Sequence, residues 1–304
     1  MISSSLSSSF ARALQAAQDA AGTQQHPTHT LYVVATPIGN LADISLRALH
    51  VLGLMDAIAC EDTRHTRQML HAYGIERTGH QLLAVHQHNE AEAAQSVLER
   101  LAQGQRVAYV SDAGTPAISD PGARLVQAVR AAGFRVLPLP GASSITTLLS
   151  AAGMTGDGFV FAGFLPSKTA EREQAVQAMT QEPRAVVLLE APHRIGALAK
   201  ALAALGPRPI TMGRELTKQF EQIETLPADR LASWLEERAE HQRGEFVLVV
   251  HAQATTAPRG EGERILTCLL TELPVKTAVR LAAELSGEPR NALYARALEL
   301  KQDN

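Results

Sequence analysis

Between residues 31 and 152, short apolar runs alternate with helix-patterned segments five times. The runs are 31–36, 57–60, 82–85, 107–110 and 136–139, and none shows the polar–apolar alternation of a half-solvated strand. Strands of that kind are buried on both faces, which requires a mostly parallel sheet between two layers of helices. The intervening segments supply those helices: 43–53 carries Leu46, Leu49 and Leu52 on one face, and 63–72, 90–102, 123–129 and 144–152 follow.

Beyond residues 153–158 the rhythm changes. Strand-like runs at 159–164, 185–190, 209–212, 222–226 and 245–250 are separated by fewer helices, at 170–180, 195–205 and 228–240. This pattern implies a mixed sheet. A polar stretch at 251–262 leads to three short helices, 263–273, 275–285 and 290–299, with a helix-turn-helix-like turn at 286–289. Seven Lys and Arg balance seven Asp and Glu over 258–304, so charge does not mark this unit as a DNA reader. The expected organisation is a flexible Ser-rich extension at 1–30 with a short helix at 10–21, an α/β domain at 31–152, a second at 153–252, and a small helical unit at 260–304.

Several function classes are disfavoured. A formal charge of −3 leaves no general basic coat, so any nucleic-acid surface has to be local. Cys60 and Cys268 are far apart, which suits a reducing cytosol. No apolar run approaches the roughly 20 residues that span a bilayer. No GxGxxG follows the first strand, and there is no GxxxxGK[ST], HExxH or Cys/His cluster. Hydride transfer, NTP hydrolysis and metal chemistry therefore lose support.

What remains is a series of polar loops at strand ends. The longest, from Ser111 to Gly122, spans twelve residues where a βα turn takes about two to six. Gly114 and Gly122 permit positive φ there, while Pro116 and Pro121 stiffen the loop before anything binds. The plain alternative is an ordinary turn with a helix cap at Ser119 or Asp120. Each companion loop also has a plain alternative. Glu61-Asp62-Thr63-Arg64 reads equally as a helix N-cap, His86 and His88 as surface histidines, Glu190 with Arg194 as a buried ion pair, and 214–218 as a solvated turn.

Taken together, Thr36-Pro37-Ile38-Gly39-Asn40-Leu41, Glu61-Asp62-Thr63-Arg64, Ser111–Gly122, 140–144, 190–194 and 214–218 resemble the ribosomal RNA small subunit methyltransferase I family. That family lies within the tetrapyrrole-methylase-like class of S-adenosylmethionine (SAM) methyltransferases. The likeness runs in unbroken order from Leu31 to about Val250, and the terminal helices resemble the small helical domain that some members carry. It implies a two-domain α/β homodimer in the cytoplasm that holds SAM between its domains. The implied acceptor is a ribose 2′-hydroxyl, that of cytidine 1402 in the decoding region of 16S rRNA, with the 30S subunit as partner.

By the same resemblance, Pro37, Gly39, Ser111, Asp112, Gly114, Thr115, Ile118, Ala142 and Ser143 would line the cofactor pocket, with Asp112 in contact. The 190–194 and 213–218 loops would close it. A ribose hydroxyl is a weak nucleophile, so a nearby acid–base group should help; Glu61, Asp62, Glu190 and His193 are the candidates. Arg64, Arg67, Lys168, Arg194, Arg214 and Lys218 suit RNA phosphates. Two competing readings are a tetrapyrrole methylase and a ribosome-binding assembly factor without turnover. The cations around these loops disfavour a macrocycle trough.

Overall fold

The structure, a computed structural model, describes residues 3–86, 89–119, 122–154, 158–252 and 261–302. The expectations for His88, Asp120 and Pro121 lie outside the described residues. The chain divides into two compact units, Met1–Ala252 and Gln253–Asn304.

The first unit opens with α1 (Ser3–Ala21), β1 (Thr30–Val34), α2 (Leu46–Leu54), β2 (Ala57–Cys60), α3 (Thr63–Ala72) and β3 (Leu82–Ala84). It continues with α4 (Glu90–Ala102), β4 (Arg106–Val110), α5 (Ala123–Ala131), β5 (Arg135–Leu139) and α6 (Ser144–Ala151). The five strands form one fully parallel sheet in the order β3-β2-β4-β1-β5. Every residue of β1 and β2 is buried, as their unbroken apolar sequences require. Pro138 is accommodated because β5 lies at the sheet edge, where a missing N–H breaks no ladder. Helices cover both faces: α1, α2 and α3 pack on one around Leu49, Leu52 and Tyr73, while α4 and α5 pack on the other around Val97, Leu101 and Leu125.

One local expectation needs correction, and one choice of helix cap is resolved. The N-terminal segment is not a loose extension; α1 starts at Ser3, seats Ala17 and Ala21 in the core, and meets the Tyr73 ring edge-on through Phe10 at 5.0 Å. Its small residues allow close approach to α2 and α3. For the second helix the sequence offers either Asp43 or Ser45 as cap, and the structure takes Ser45. Asp43 is absorbed into a 3₁₀ turn capped by Asn40, and Ser45 then caps α2 by accepting from the Ala48 N–H at 3.1 Å.

The second sheet comprises β6 (Phe159–Gly163), β7 (Ala185–Glu190), β8 (Pro209–Arg214), β9 (Gln222–Pro227) and β10 (Phe246–Val250), with helices α7 (Thr169–Met179), α8 (Ile195–Leu202) and α9 (Leu231–Glu237). Its order is β6-β7-β10-β8-β9; β6 and β7 are parallel and the remaining pairs antiparallel, giving a mixed sheet. One face packs on α7, α8 and α9. The other meets α6: Leu148 and Ala152 join Val187, Val247, Val249, Ile38 and Leu216 in one apolar cluster. That cluster joins the two sheets within the unit Met1–Ala252. Gly213 permits the contact, since a Cβ there would stand 2.8 Å from Leu148 Cδ1.

The second unit contains α10 (Glu261–Leu270), α11 (Val275–Ser286) and α12 (Arg290–Gln302) around Leu266, Val279, Ala282 and Leu293. Gly287, at φ 71°, ends α11 in the left-handed conformation that only a residue without Cβ adopts freely.

Candidate active site

Strand order determines which loops meet. Because β1 lies between β4 and β5, the loops leaving the C-terminal ends of these three strands are neighbours. In open α/β sheets this is where ligands bind. The loops are tied together by backbone. Thr36 and Gly114 form an antiparallel bridge, with N–H to O distances of 2.9 and 3.0 Å. Thr36 Oγ1 donates to the Ser111 carbonyl at 3.2 Å, and Thr115 Oγ1 donates to the Ala142 carbonyl at 3.0 Å. Gly114 sits at φ 80°, and a Cβ there would come within 3.3 Å of Ile38 Cγ2. Ala117 holds φ 64°, a strained value for a residue with a Cβ, costing about 1–3 kcal/mol.

Two cavities abut at these loops. The first, about 340 Å³, lies between Gly114, Thr115, Ile118 and the start of α6 on one side and Phe164, Leu189, Glu190, Ala191, Pro192 and Val247 on the other. The second, about 510 Å³, is walled by Pro37, Gly39, Leu41, Asp112 and Lys218 and by His65, Gln68, Met69 and His71 of α3. Ile38, Ala113 and Glu245 line both, so the two spaces share one wall. Both volumes fall within the roughly 300–1,000 Å³ of small-molecule sites.

Charge is unevenly placed. In the first cavity the Glu190 side chain is 1% exposed. Its Oε1 lies 3.0 Å from Arg194 Nε and accepts from the Ala191 N–H at 3.0 Å, while Oε2 is buried without a partner. In the second cavity Lys218 Nζ donates to Glu215 Oε1 at 2.9 Å and Glu245 Oε2 at 3.1 Å. Partial burial opposes the Lys218 ammonium, but these two bonds outweigh it and hold its pKa above the ordinary value. Glu215 shows the converse: burial raises its pKa, and the bonds from Lys218 and the Glu245 N–H bring it below normal. Glu215 and Thr217 both adopt positive φ, 51° and 66°, so this loop is held in a strained shape.

With that geometry in place, comparison with known proteins is informative. The model of the Tetrapyrrole (Corrin/Porphyrin) Methylases matches residues 30–232, and that of the RsmI C-terminal HTH domain matches 256–301. A ribosomal RNA small subunit methyltransferase I from Escherichia coli O157:H7 is 47% identical over 274 residues, covering 88% of this chain and 94% of its own. Its counterpart from Pseudomonas aeruginosa is 46% identical, covering 89% and 97%. The chain belongs to the ribosomal RNA small subunit methyltransferase I family. Among solved structures, a cobalt precorrin-4 methyltransferase superposes with TM-score 0.55 at 16% identity, over 73% of this chain and 94% of its own. A diphthine synthase reaches 0.56 at 16% identity, over 73% and 90%. These two likenesses establish the tetrapyrrole-methylase fold.

In this family member the residues expected at the cofactor separate into three groups. Gly114, Thr115, Ile118 and Ser143 line the first cavity, whereas Pro37, Gly39 and Asp112 line the second. Ser111 and Ala142 act behind the wall: Ser111 is 1% exposed and its hydroxyl donates to the Ala113 carbonyl at 3.2 Å, while Ala142 receives the Thr115 bond. Asp112 Oδ1 accepts from the Asp62 N–H at 3.2 Å, joining the β4 loop to the start of α3.

Of the acid–base candidates, only Glu190 lines a cavity described here. Asp62 caps α3, accepting from the Arg64 N–H at 2.8 Å and from the Arg64 guanidinium. The Arg64 side-chain and backbone hydrogen bonds pull its pKa down to about 2, so it is a poor proton acceptor. Glu61 follows directly after β2 and is half-buried, and His193 is exposed in the turn before α8.

The cations also divide. Arg64 and Arg67 rim a shallow depression with Gln68 and His71, and Lys218 lines the second cavity. Arg214 is 9% exposed and spends its guanidinium on the Arg243 carbonyl and Gln222 Oε1, so it anchors the strained loop instead of meeting phosphate. Arg194 is paired with Glu190 and donates to the Leu165 carbonyl, and exposed Lys168 pairs with Glu171 at 2.9 Å.

Sequence reasoning gave no site role to Phe164, Glu245 or the row His65, Gln68 and His71 along α3, all of which line the cavities. The last had a readable signal, a spacing of three on α3.

Proposed function

We propose that this enzyme transfers a methyl group from SAM to the ribose 2′-hydroxyl of a cytidine in the decoding region of 16S rRNA. Small-subunit rRNA as the substrate and SAM as the donor follow from its family. The ribose oxygen as acceptor, the 30S particle as substrate form, a homodimeric assembly and a cytoplasmic location extend that reading. The observation that carries it is the pair of abutting cavities, one suited to a donor and one to an acceptor, sharing the Ile38–Ala113 wall.

The first cavity fits SAM on its own features. Gly114 keeps backbone open where a Cβ would crowd Ile38, and the first turn of α6 presents Ser143, Ser144 and Ile145. A helix start offers unpaired N–H groups and positive potential suited to a carboxylate. Phe164, Leu189 and Val247 give an apolar face for a purine, and the unpartnered Glu190 Oε2 offers an acceptor to a cationic or hydroxylic group. Bound there, SAM supplies a methyl already activated by its sulfonium.

The protein's task is then alignment and management of one proton. Lys218 stays charged and favours negative charge developing on the acceptor oxygen; of the two carboxylates lining the second cavity, Glu245 is held by Lys218, and Asp112 takes the hydroxyl proton. Calorimetric titration with SAM, followed by transfer of labelled methyl to 30S particles and nucleoside digestion, tests the assignment. The expected product is 2′-O-methylcytidine. Cofactor binding with no RNA label would redirect the second cavity to a small molecule, and stoichiometric particle binding with no product would point to an assembly factor.

A further inference from the structure

The second cavity is larger than an acceptor hydroxyl requires, and its lining includes two kinds of surface. One is apolar: Pro37 and Leu41, together with Met69 of α3. The other carries His65 and Gln68, both solvent-accessible and three residues apart, so they project from the same face of α3. A cavity lined by both apolar surface and hydrogen-bonding groups fits a planar heterocycle that stacks on the one and is read at its edge by the other. The Gln68 amide both donates and accepts, and His65 adds a ring nitrogen.

The surroundings supply the rest of a nucleotide. Gln68 also borders the outer depression, whose other residues include Arg64 and Arg67, so space continues from the cavity to a cationic rim. Arg64 is held by Asp62 at 3.0 Å yet 88% exposed, which leaves a pre-oriented guanidinium facing solvent. RNA-modifying proteins commonly read single-stranded or extruded nucleotides by stacking and edge hydrogen bonds, with phosphates held outside.

We infer that the second cavity takes the base of the acceptor nucleotide, extruded from the RNA, with Gln68 and His65 reading its edge and Arg64 and Arg67 holding the flanking phosphates. This rests on the rRNA methyltransferase reading above and adds how the acceptor is selected. Base recognition on α3 fixes the ribose beside the shared wall, next to the donor.

The test uses the full-length enzyme and reconstituted 30S particles carrying either the native cytidine or an abasic ribose at the methylated position. The abasic particle keeps the 2′-hydroxyl and loses only the base. His65→Ala and Gln68→Ala alter exposed side chains, and Gln95→Ala on α4 serves as a control. On native particles each variant is expected to lose about ten-fold in kcat/KM, mainly through KM, with unchanged affinity for S-adenosylhomocysteine. Wild type should lose at least as much on abasic particles, and the variants should lose little further there, because one interaction cannot be removed twice. Additive losses, no loss on native particles, or weakened cofactor affinity would each overturn the inference while leaving RNA methylation intact. A wild type that labels neither particle would instead overturn the rRNA reading itself, and this inference with it.

Discussion

Replacing Glu190 with Gln separates a cofactor contact from a structural ion pair. Glu190 lines the first cavity; its Oε1 is engaged by the Ala191 N–H and lies 3.0 Å from Arg194, while its Oε2 is buried without a hydrogen-bond partner. A Gln can keep its carbonyl oxygen where Oε1 stands, so the Ala191 bond survives. The NH₂ then occupies the Oε2 position, and the cavity loses an anionic acceptor. A hydrogen bond to a charged group contributes about 1.5–3 kcal/mol, which corresponds to a roughly 10- to 150-fold weaker SAM affinity. Stability falls as well: breaking a fully buried pair costs about 3–5 kcal/mol, and the loss here is smaller because Gln stays neutral while Arg194 is 25% exposed and keeps its bond to the Leu165 carbonyl. Calorimetric SAM titration alongside thermal melts of the cofactor-free protein reads both quantities. Wild-type SAM affinity with a lowered Tm would refute the assignment and leave Glu190 a purely structural residue.

Other perturbations address separate parts of the site. Asp112→Ala removes the acceptor of the Asp62 N–H and one of the two carboxylates lining the second cavity; methyl transfer should fall by about ten-fold or more. The same variant should retain most of its SAM affinity by calorimetry, and loss of binding would place Asp112 on the donor side instead. Gly213→Ala drives a Cβ to 2.8 Å from Leu148 Cδ1 and should cost about 1–3 kcal/mol in denaturant unfolding. Lys218→Met tests the charged loop against pH. Glu215 titrates below its ordinary 4.5, so its contribution is present above that value and lost as pH falls through the lower folded pKa. Lys218 titrates above its ordinary 10.5, so its contribution is present below that value and lost as pH rises through the higher one. The Tm difference between wild type and Lys218→Met should therefore stay flat between those two ordinary values and shrink outside them; a difference that varied near pH 7 would refute this coupling.

The first sheet was legible because its strands carry their environment in composition alone: unbroken apolar runs such as Leu31–Val34 and Ala57–Cys60 can only be central and parallel. Helices with a stop or cap in the chain were nearly as clear. Gly74 follows the end of α3, and Asp62 accepts from the backbone at its start. What escaped depended on partners distant in sequence. Arg214 and Lys218 look alike as basic residues of one loop. One is buried on the Arg243 carbonyl, and the other is held at a cavity wall by Glu215 and by Glu245, which lies on the turn into β10. Asp112, expected at the cofactor, lines the second cavity and not the first, a distinction that turns on the Ile38, Ala113 and Glu245 shared by both. The row on α3 is the instructive intermediate. Its spacing was visible, but the same spacing serves any solvated helix face, and it acquires meaning only because β2 is next to β4, which brings α3 against the loop carrying Asp112. Local pattern therefore identified residues able to face a ligand, and strand order decided which of them face the same one.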